Sequence, residues 1–233
     1  MKRYPITLDI HGQRCLVVGG GVVAKRKVEA LIPCGPKIVV LSPVLCDGLA
    51  KLVEKQQIEW QQRKYQSGDV QGAKLVFAAT DNSTVQQQIK KEADRAGILV
   101  NVISDPRACS FQVPATFRRG DLLLTISTCG ASPALAARIR KELEQLYGKE
   151  YEVLLTLMAA VRKQIVALNN DQSSHKLLFE KLLNSDILPA LKAGDWKKLQ
   201  VTLEAILPPE VEVLQLVNTL QTQENASMET TPC

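Results

Sequence analysis

The stretch Cys15-Leu16-Val17-Val18-Gly19-Gly20-Gly21-Val22-Val23-Ala24 constrains the fold of this 233-residue chain more than any other. A short apolar run enters a glycine turn that opens directly into a helical pattern, so the order reads strand, tight turn, helix. Gly19, Gly21 and Ala24 fit the G-x-G-x-x-(G/A) spacing of a dinucleotide-binding βαβ unit. The first glycine permits the tight turn, and the second lets a pyrophosphate approach the backbone. The small Ala24 lets the helix pack close to the strand. The free N–H groups that open the helix then face the anionic phosphates.

The first hundred residues alternate strand and helix signals, as an α/β domain does. The pattern predicts strands at 15–18, 37–41, 58–63, 75–79 and 98–103, with helices at 22–32, 46–55 and 85–96. Beyond them, 111–117 and 122–128 read as two strands joined by a turn at Arg118-Arg119-Gly120-Asp121. Ser132-Pro133 supplies an N-cap and a first-turn proline for a helix with one apolar stripe, Leu135, Ile139 and Leu143. From about residue 150 only helical patterning follows, strongest at 151–168, 175–183 and 196–206, and residues 223–233 read as a polar, frayed tail. The expected fold class is therefore α/β: an N-terminal Rossmann-like parallel sheet, a small strand-hairpin and helix segment, and an all-helical C-terminal domain.

An apolar content of 45% and a charged content of 23% are ordinary for a globular chain. No apolar stretch approaches the length needed to span a bilayer, and residues 1–9 hold no signal-like run, so the expectation is a soluble cytoplasmic protein. Six cysteines are scattered without a C-x-x-C, and His11 and His175 are the two histidines, so no metal site is expected. The net charge of +5 is unevenly spread. Residues 105–141 hold six basic residues (Arg107, Arg118, Arg119, Arg138, Arg140, Lys141) against two acidic ones (Asp105, Asp121), an excess of four. That concentration points to an anionic ligand. Aromatic residues make up 4% and none interleave with the basic group, which argues against nucleic acid.

In an open parallel sheet, ligands lie beyond the carboxyl ends of the strands. Three polar clusters fall there: Ser42-Pro43, Thr80-Asp81-Asn82, and Asn101 through Asp105. The second strand ends Leu41-Ser42-Pro43, with neither the acid that reads a ribose 2′-hydroxyl nor an arginine for a 2′-phosphate. Ser42, or backbone groups around Pro43 and Val44, would then hold the ribose, and NAD is favoured over NADP.

Five motifs now occur in order: Gly19-Gly20-Gly21-Val22-Val23-Ala24-Lys25-Arg26-Lys27, Ala78-Ala79-Thr80-Asp81, Asn101-Val102 followed by Pro106, Ser110-Phe111 with Val113-Pro114, and Gly130-Ala131-Ser132-Pro133. Together they resemble the siroheme synthase family, in its precorrin-2 dehydrogenase module, over about residues 1–150. The resemblance implies NAD-dependent oxidation of precorrin-2 to sirohydrochlorin, with ferrous iron inserted as well in some members. It divides the chain into an NAD-binding domain (1–113), a dimerisation segment (114–150), a helical domain (151–222) and the tail (223–233), and it implies a homodimer. Cofactor contacts fall on Gly19, Gly21, Val22, Val23, Ser42, Pro43 and Val44, with Thr80, Asp81 and Asn101 around the same crevice.

For the chemistry, the position of the family's proposed general base is Ser104 here, and the neighbouring carboxylate is Asp105. With a serine at that position, dehydrogenase activity is expected to outweigh chelatase activity. Arg107, Arg118, Arg119 and Arg138 are candidates for the substrate's carboxylates, since a guanidinium fork binds them bidentately. Ser127 and Thr128 stand where the family carries a pair of serines. The competing expectation is a nonenzymatic NAD-sensing Rossmann module that regulates a partner protein.

Overall fold

Strands β1 (Arg14–Val18), β2 (Lys37–Leu41), β4 (Leu75–Ala78) and β5 (Leu99–Val102) are near-continuous apolar runs, the mark of strands buried on both faces. With the short, polar β3 (Glu59–Gln61) at one edge, they pair all-parallel in the order β3-β2-β1-β4-β5. The computed structural model describes residues 3–168 and 172–229. Two compact units are present, one ending at Val113 and the other starting at Pro114.

Alternation along the strands sends successive side chains to opposite faces. On one face Cys15, Val17, Ile38, Val40, Leu75 and Phe77 pack against α1 (Val22–Leu31) and α2 (Asp47–Glu54) through Ala24, Val28, Leu31 and Leu49. On the other, Leu16, Val18, Val39, Leu41, Val76 and Val100 pack against Ile89 and Ala93 of α3 (Ser83–Arg95). Burying a side chain of this size is worth about 1.5–3 kcal/mol, so the two-sided sheet dominates this unit's stability. Burial also pushes the Cys15 thiol up to about 11, which leaves it an inert core residue. The five described cysteines are free thiols.

The connection from β3 to β4 contains no helix; its turns carry Tyr65, Val70 and Ala73 onto the α3 face. Glu92 of α3 pegs that connection down, accepting hydrogen bonds from the Tyr65 hydroxyl (2.8 Å), the Ser67 hydroxyl (3.0 Å) and the Gly68 N–H (2.8 Å). A second tie, Arg63 to Asp69, spans the same turns at 2.7 Å. Asn82 caps α3 by accepting from the Val85 N–H at 3.1 Å, so the helix begins earlier than the predicted residue 85.

The second unit opens with the antiparallel hairpin β6 (Ala115–Arg119) and β7 (Leu122–Ile126). Arg119 pairs with Leu122, which leaves a two-residue turn, Gly120-Asp121, with Gly120 at φ 51°. The predicted four-residue turn is thus corrected: Arg118 and Arg119 belong to the strand. Nor does the first strand reach back to 111, because Pro114 lacks an N–H for the ladder and Phe111 leaves to stack edge-on against Phe77, 5.4 Å between centroids. Helix α4 (Pro133–Leu146) begins at its expected cap, with Ser132 accepting from the Leu135 N–H. Of its predicted stripe, Ile139 and Leu143 are half-buried, but Leu135 is not on the inward face. Ala136 is the buried position and Leu135 is 48% exposed, because a small residue lets the helix lie close on the hairpin.

Helices α5 (Glu150–Leu168), α6 (Gln172–Leu183), α7 (Ile187–Ala193), α8 (Trp196–Ile206) and α9 (Val213–Glu229) enclose a core built on Leu157, Val161, Leu182, Ile187, Leu199 and Leu203. Helix α9 continues to Glu229 where a frayed tail was expected from 223, since Gln, Glu and Ala are good helix formers. Residues 230–233, the rest of that expected tail, lie outside the described residues. Among those described, no helix is long and apolar enough to cross a membrane.

The Glu92 peg sets a pH dependence. Partial burial pushes the Glu92 carboxyl up, but the hydrogen bonds from Gly68, Tyr65, Gln88 and Ser67 outweigh it and hold the group below its ordinary value. Asp69 is held low chiefly by Arg63. Both groups therefore stabilise the fold above their unfolded-state values, and that contribution is lost as the pH falls through the folded ones. Glu92→Ala should cost roughly 2 kcal/mol near neutral pH. It should also narrow the gap between melting temperatures at about pH 7 and about pH 3; thermal melts at the two pH values check this.

Candidate functional site

Strand order reverses between β1 and β4, and the glycine turn leaves β1 at that switch point. Backbone bonds clamp the turn from three sides. Gly19 N–H donates to Leu41 at 2.8 Å, Cys46 N–H to Gly20 at 2.8 Å, and Ala79 N–H to Val18 at 2.7 Å. Gly19 adopts φ 129°, and a Cβ there would overlap the Ala79 carbonyl. At Gly20 it would overlap the Val44 carbonyl and lie 2.6 Å from the Ser42 hydroxyl. Gly21 differs: nothing lies within 4 Å of its Cβ position. It is the N-cap of α1, with no side-chain cap on the first-turn N–H groups and no acidic residue in that turn. Backbone donors thus face open space, which is the cradle a dinucleotide pyrophosphate requires. Val22 and Val44 flank it, 66% and 73% exposed.

The other expected cofactor residues line the same end of the sheet, several already engaged. Ser42 is buried, and its hydroxyl donates to the Val44 carbonyl at 2.7 Å. The Trp60 indole N–H holds the Ser42 carbonyl at 2.9 Å, so this side chain shapes the loop around Pro43. Val23 is half-buried in the first turn of α1, and Asp81 is exposed beyond β4. Thr80 accepts at its carbonyl from the Gln86 amide, whose own oxygen accepts from the Ser104 hydroxyl. That relay joins the loops after β4 and β5 through a buried glutamine of α3. Asn101 is buried too, and its amide donates to the Phe111 carbonyl at 3.1 Å and toward the Cys109 sulfur.

Asp105 is exposed and accepts the Arg107 N–H at 2.9 Å in a turn before the half-buried Cys109. Arg107 is exposed as well. In the second unit, Arg118 and Arg119 are neighbours in one strand and so project to opposite faces. Arg118 is exposed, whereas Arg119 folds back over the Phe117 ring at 5.6 Å and toward the Glu144 carbonyl of α4 at 3.5 Å. Ser127 and Thr128 accept from the N–H groups of Cys129 and Ser132, each at 3.1 Å, and so shape the entry to α4. Arg138 pairs with Glu142 at 2.9 Å.

Three comparisons with known proteins bear on this arrangement. Residues 6–115 match a family model described as putative NAD(P)-binding, and residues 119–146 match one described as sirohaem biosynthesis protein central. The siroheme synthase of Nitrosococcus oceani is 36% identical over 207 residues, covering 89% of this chain and 44% of that protein. The siroheme synthase of Vesicomyosocius okutanii is 32% identical over 212 residues, covering 91% of this chain and 46% of its own length. A solved structure titled SirC, precorrin-2 dehydrogenase, superposes with a TM-score of 0.73 at 30% identity, over 88% of this chain and 98% of that one. The chain belongs to the siroheme synthase and precorrin-2 dehydrogenase family. It spans less than half the length of these two siroheme synthases.

Three further residues that received no individual role from the sequence stand at this end of the sheet. Gly20 is required by the Val44 loop, as three successive glycines could have signalled. Gln86 is the buried relay, a polar residue in the apolar stripe of α3. Lys27 is the third. It falls between Ala24, Val28 and Leu31 on the inward stripe of α1, and its ammonium lies 5.9 Å from the Phe77 ring centroid. Partial burial, seconded by Arg26, holds its pKa below the ordinary lysine value, against a smaller opposing effect of Cys109.

The glycines divide the work, and two substitutions separate it. Gly20→Ala should destabilise the first unit by several degrees in melting temperature, because the Val44 backbone has to move. Gly21→Ala meets no neighbour at a negative φ, so it should melt within about 2 °C of wild type while weakening NAD at least tenfold. Differential scanning and calorimetric titration read the two effects.

Proposed function

We propose that this chain is an NAD-dependent precorrin-2 dehydrogenase that oxidises precorrin-2 to sirohydrochlorin. The likeness to the solved precorrin-2 dehydrogenase carries the reading, because it extends over nearly the whole of that chain. A likeness confined to residues 6–115 would fit any dinucleotide-binding domain. The match at 119–146 favours the enzyme over a nucleotide-sensing module.

NAD, when bound, supplies the hydride acceptor. The glycine cradle fits it: Gly19 and Gly20 let the loops after β2 and β4 close on the turn, and the uncapped first turn of α1 faces the pyrophosphate. Val22 and Val44 offer apolar cover for the adenosine. With the hydride, a proton leaves the macrocycle and needs an acceptor. Asp105 takes that role, since one carboxylate oxygen shapes its turn and the other is without a partner among the described residues. Ser104 holds the loop by donating to Gln86. A neutral hydroxyl so engaged supports a dehydrogenase with little chelatase activity, ferrous iron being at most a minor substrate. Arg107 and Arg118, both exposed, are the arginines best free to meet the substrate's carboxylates.

The same reading makes the chain a cytoplasmic homodimer, with residues 114–150 as the dimerisation segment. Five free thiols suit a reducing compartment. The hairpin and α4 bury Phe117 and Ala136 within the chain, while Leu135 and Leu146 stay exposed, an apolar face that a second copy would cover.

Mixed anaerobically with precorrin-2 and NAD, the protein should produce NADH and sirohydrochlorin absorbance in step. Production no faster than in the protein-free control refutes the assignment. Asp105→Ala should lower kcat by a factor on the order of 10²–10⁴ with NAD affinity unchanged; an unaltered kcat removes Asp105 from the chemistry. In sedimentation at micromolar concentration the protein should run as a dimer, and a monomer contradicts the interface.

A further inference from the structure

A lysine half-withdrawn from water needs a counter-charge, and Lys27 has none among the described residues. Its neighbour Lys25 pairs with Glu29 at 3.3 Å, but no carboxylate lies within salt-bridge distance of the Lys27 ammonium and it donates no hydrogen bond. Its place in the fold is specific. Side chains on an α-helix lean toward the helix N-terminus, so a long chain at this position reaches back toward the glycine turn. Phe77, which it overlies, is the next-to-last residue of β4 and stands in register with Asn101 of β5. The Asn101 amide holds the Phe111 carbonyl, and the Phe111 ring packs on Phe77. Cys109 is tied to Val102 at the end of β5. The cation therefore stands at the carboxyl ends of β4 and β5, beside the switch point, over the Phe77 ring against which Phe111 packs edge-on.

We propose that Lys27 anchors the acidic substrate: its unneutralised ammonium, held over Phe77 at the carboxyl ends of β4 and β5, receives one carboxylate of the tetrapyrrole. The inference rests on the dehydrogenase reading. Arg118 and Arg138 are exposed, and water can solvate them without a ligand. Lys27 lacks that freedom, and a bound carboxylate supplies the missing charge in a partly dehydrated setting where ion pairing is stronger. Phe77 and Phe111 would sit under the pyrrole edge that carries the acid.

Lys27→Met keeps the length and packing of the side chain and removes its charge; Lys27→Arg keeps the charge. Sirohydrochlorin binding, read by absorbance titration, is measured with NAD binding, steady-state turnover and thermal melting for both variants and wild type. Lys27→Met should weaken sirohydrochlorin and raise the KM for precorrin-2 at least tenfold, with the NAD dissociation constant within twofold of wild type. Lys27→Arg should restore both tetrapyrrole constants to within about threefold. The melting temperature of Lys27→Met should equal or exceed that of wild type, because an unpaired, part-buried charge has gone. Unchanged tetrapyrrole binding in Lys27→Met overturns the proposal, as does a parallel loss of NAD affinity or a lowered melting temperature. A wild-type protein that neither binds sirohydrochlorin nor turns over precorrin-2 would instead sink the dehydrogenase reading itself.

Discussion

The nucleotide-binding unit depends on how closely three stretches of backbone meet where β1 ends. Gly19 and Gly20 lack side chains at the points where the Ala79 and Val44 carbonyls arrive, and three backbone hydrogen bonds of 2.7–2.8 Å fasten the loops there. Each bond satisfies a donor that would otherwise be stranded beside an apolar core. The loop after β2 is thereby drawn onto the turn, and the loop after β4 is set against its other side. Given this clamp, the first turn of α1 emerges with its N–H groups unused. A single methyl group at either glycine would separate the loops.

Further out, a different kind of link takes over. Ser104, Gln86 and Thr80 tie the ends of β4 and β5 through α3, and Asn101 ties β5 to the segment at Phe111. These are buried polar connections, costly if half-made and rigid when complete. They fix the shape of the crevice. Ser42 acts likewise: its hydroxyl donates to the Val44 carbonyl and so holds the loop after β2 in place.

Much of this was legible in the chain itself. The apolar runs at 37–41 and 75–79 and the glycine turn gave the parallel sheet, because period and punctuation there are strong. The hairpin was legible as a hairpin but not in its register. Arg118 and Arg119 look like turn residues, and the pairing of Arg119 with Leu122 emerges once Gly120 takes its positive φ. Helix α4 was placed by its cap and Ile139 and Leu143 lie on its half-buried side, yet the start of that face was misjudged, since Ala136 is a weaker apolar signal than Leu135 and packing chose the smaller residue. Helix α7 carries Pro189 near its start and spans seven residues, too few to show a period. The Glu92 peg could not be foreseen, because three of its four bonds come from residues more than twenty positions away.

Charge was the least legible feature, and the reason is local. The basic excess counted over 105–141 stops just short of Glu142 and Glu144, which pair with Arg138 and Arg140 one helical turn on. Such exposed i,i+4 pairs are worth a few tenths of a kcal/mol, but they cancel much of the field that the count implied. Arg119 is likewise committed to its own hairpin and helix. What distinguishes a cation that awaits a ligand is therefore its degree of dehydration together with the absence of a partner, not its membership in a basic run. Lys27 meets both conditions from within a helix whose neighbouring basic residues, Lys25 and Arg26, face outward or pair locally. A fold gains nothing in stability from such a group. Its place on the inward stripe of α1 is therefore accounted for by the carboxylate we propose it receives.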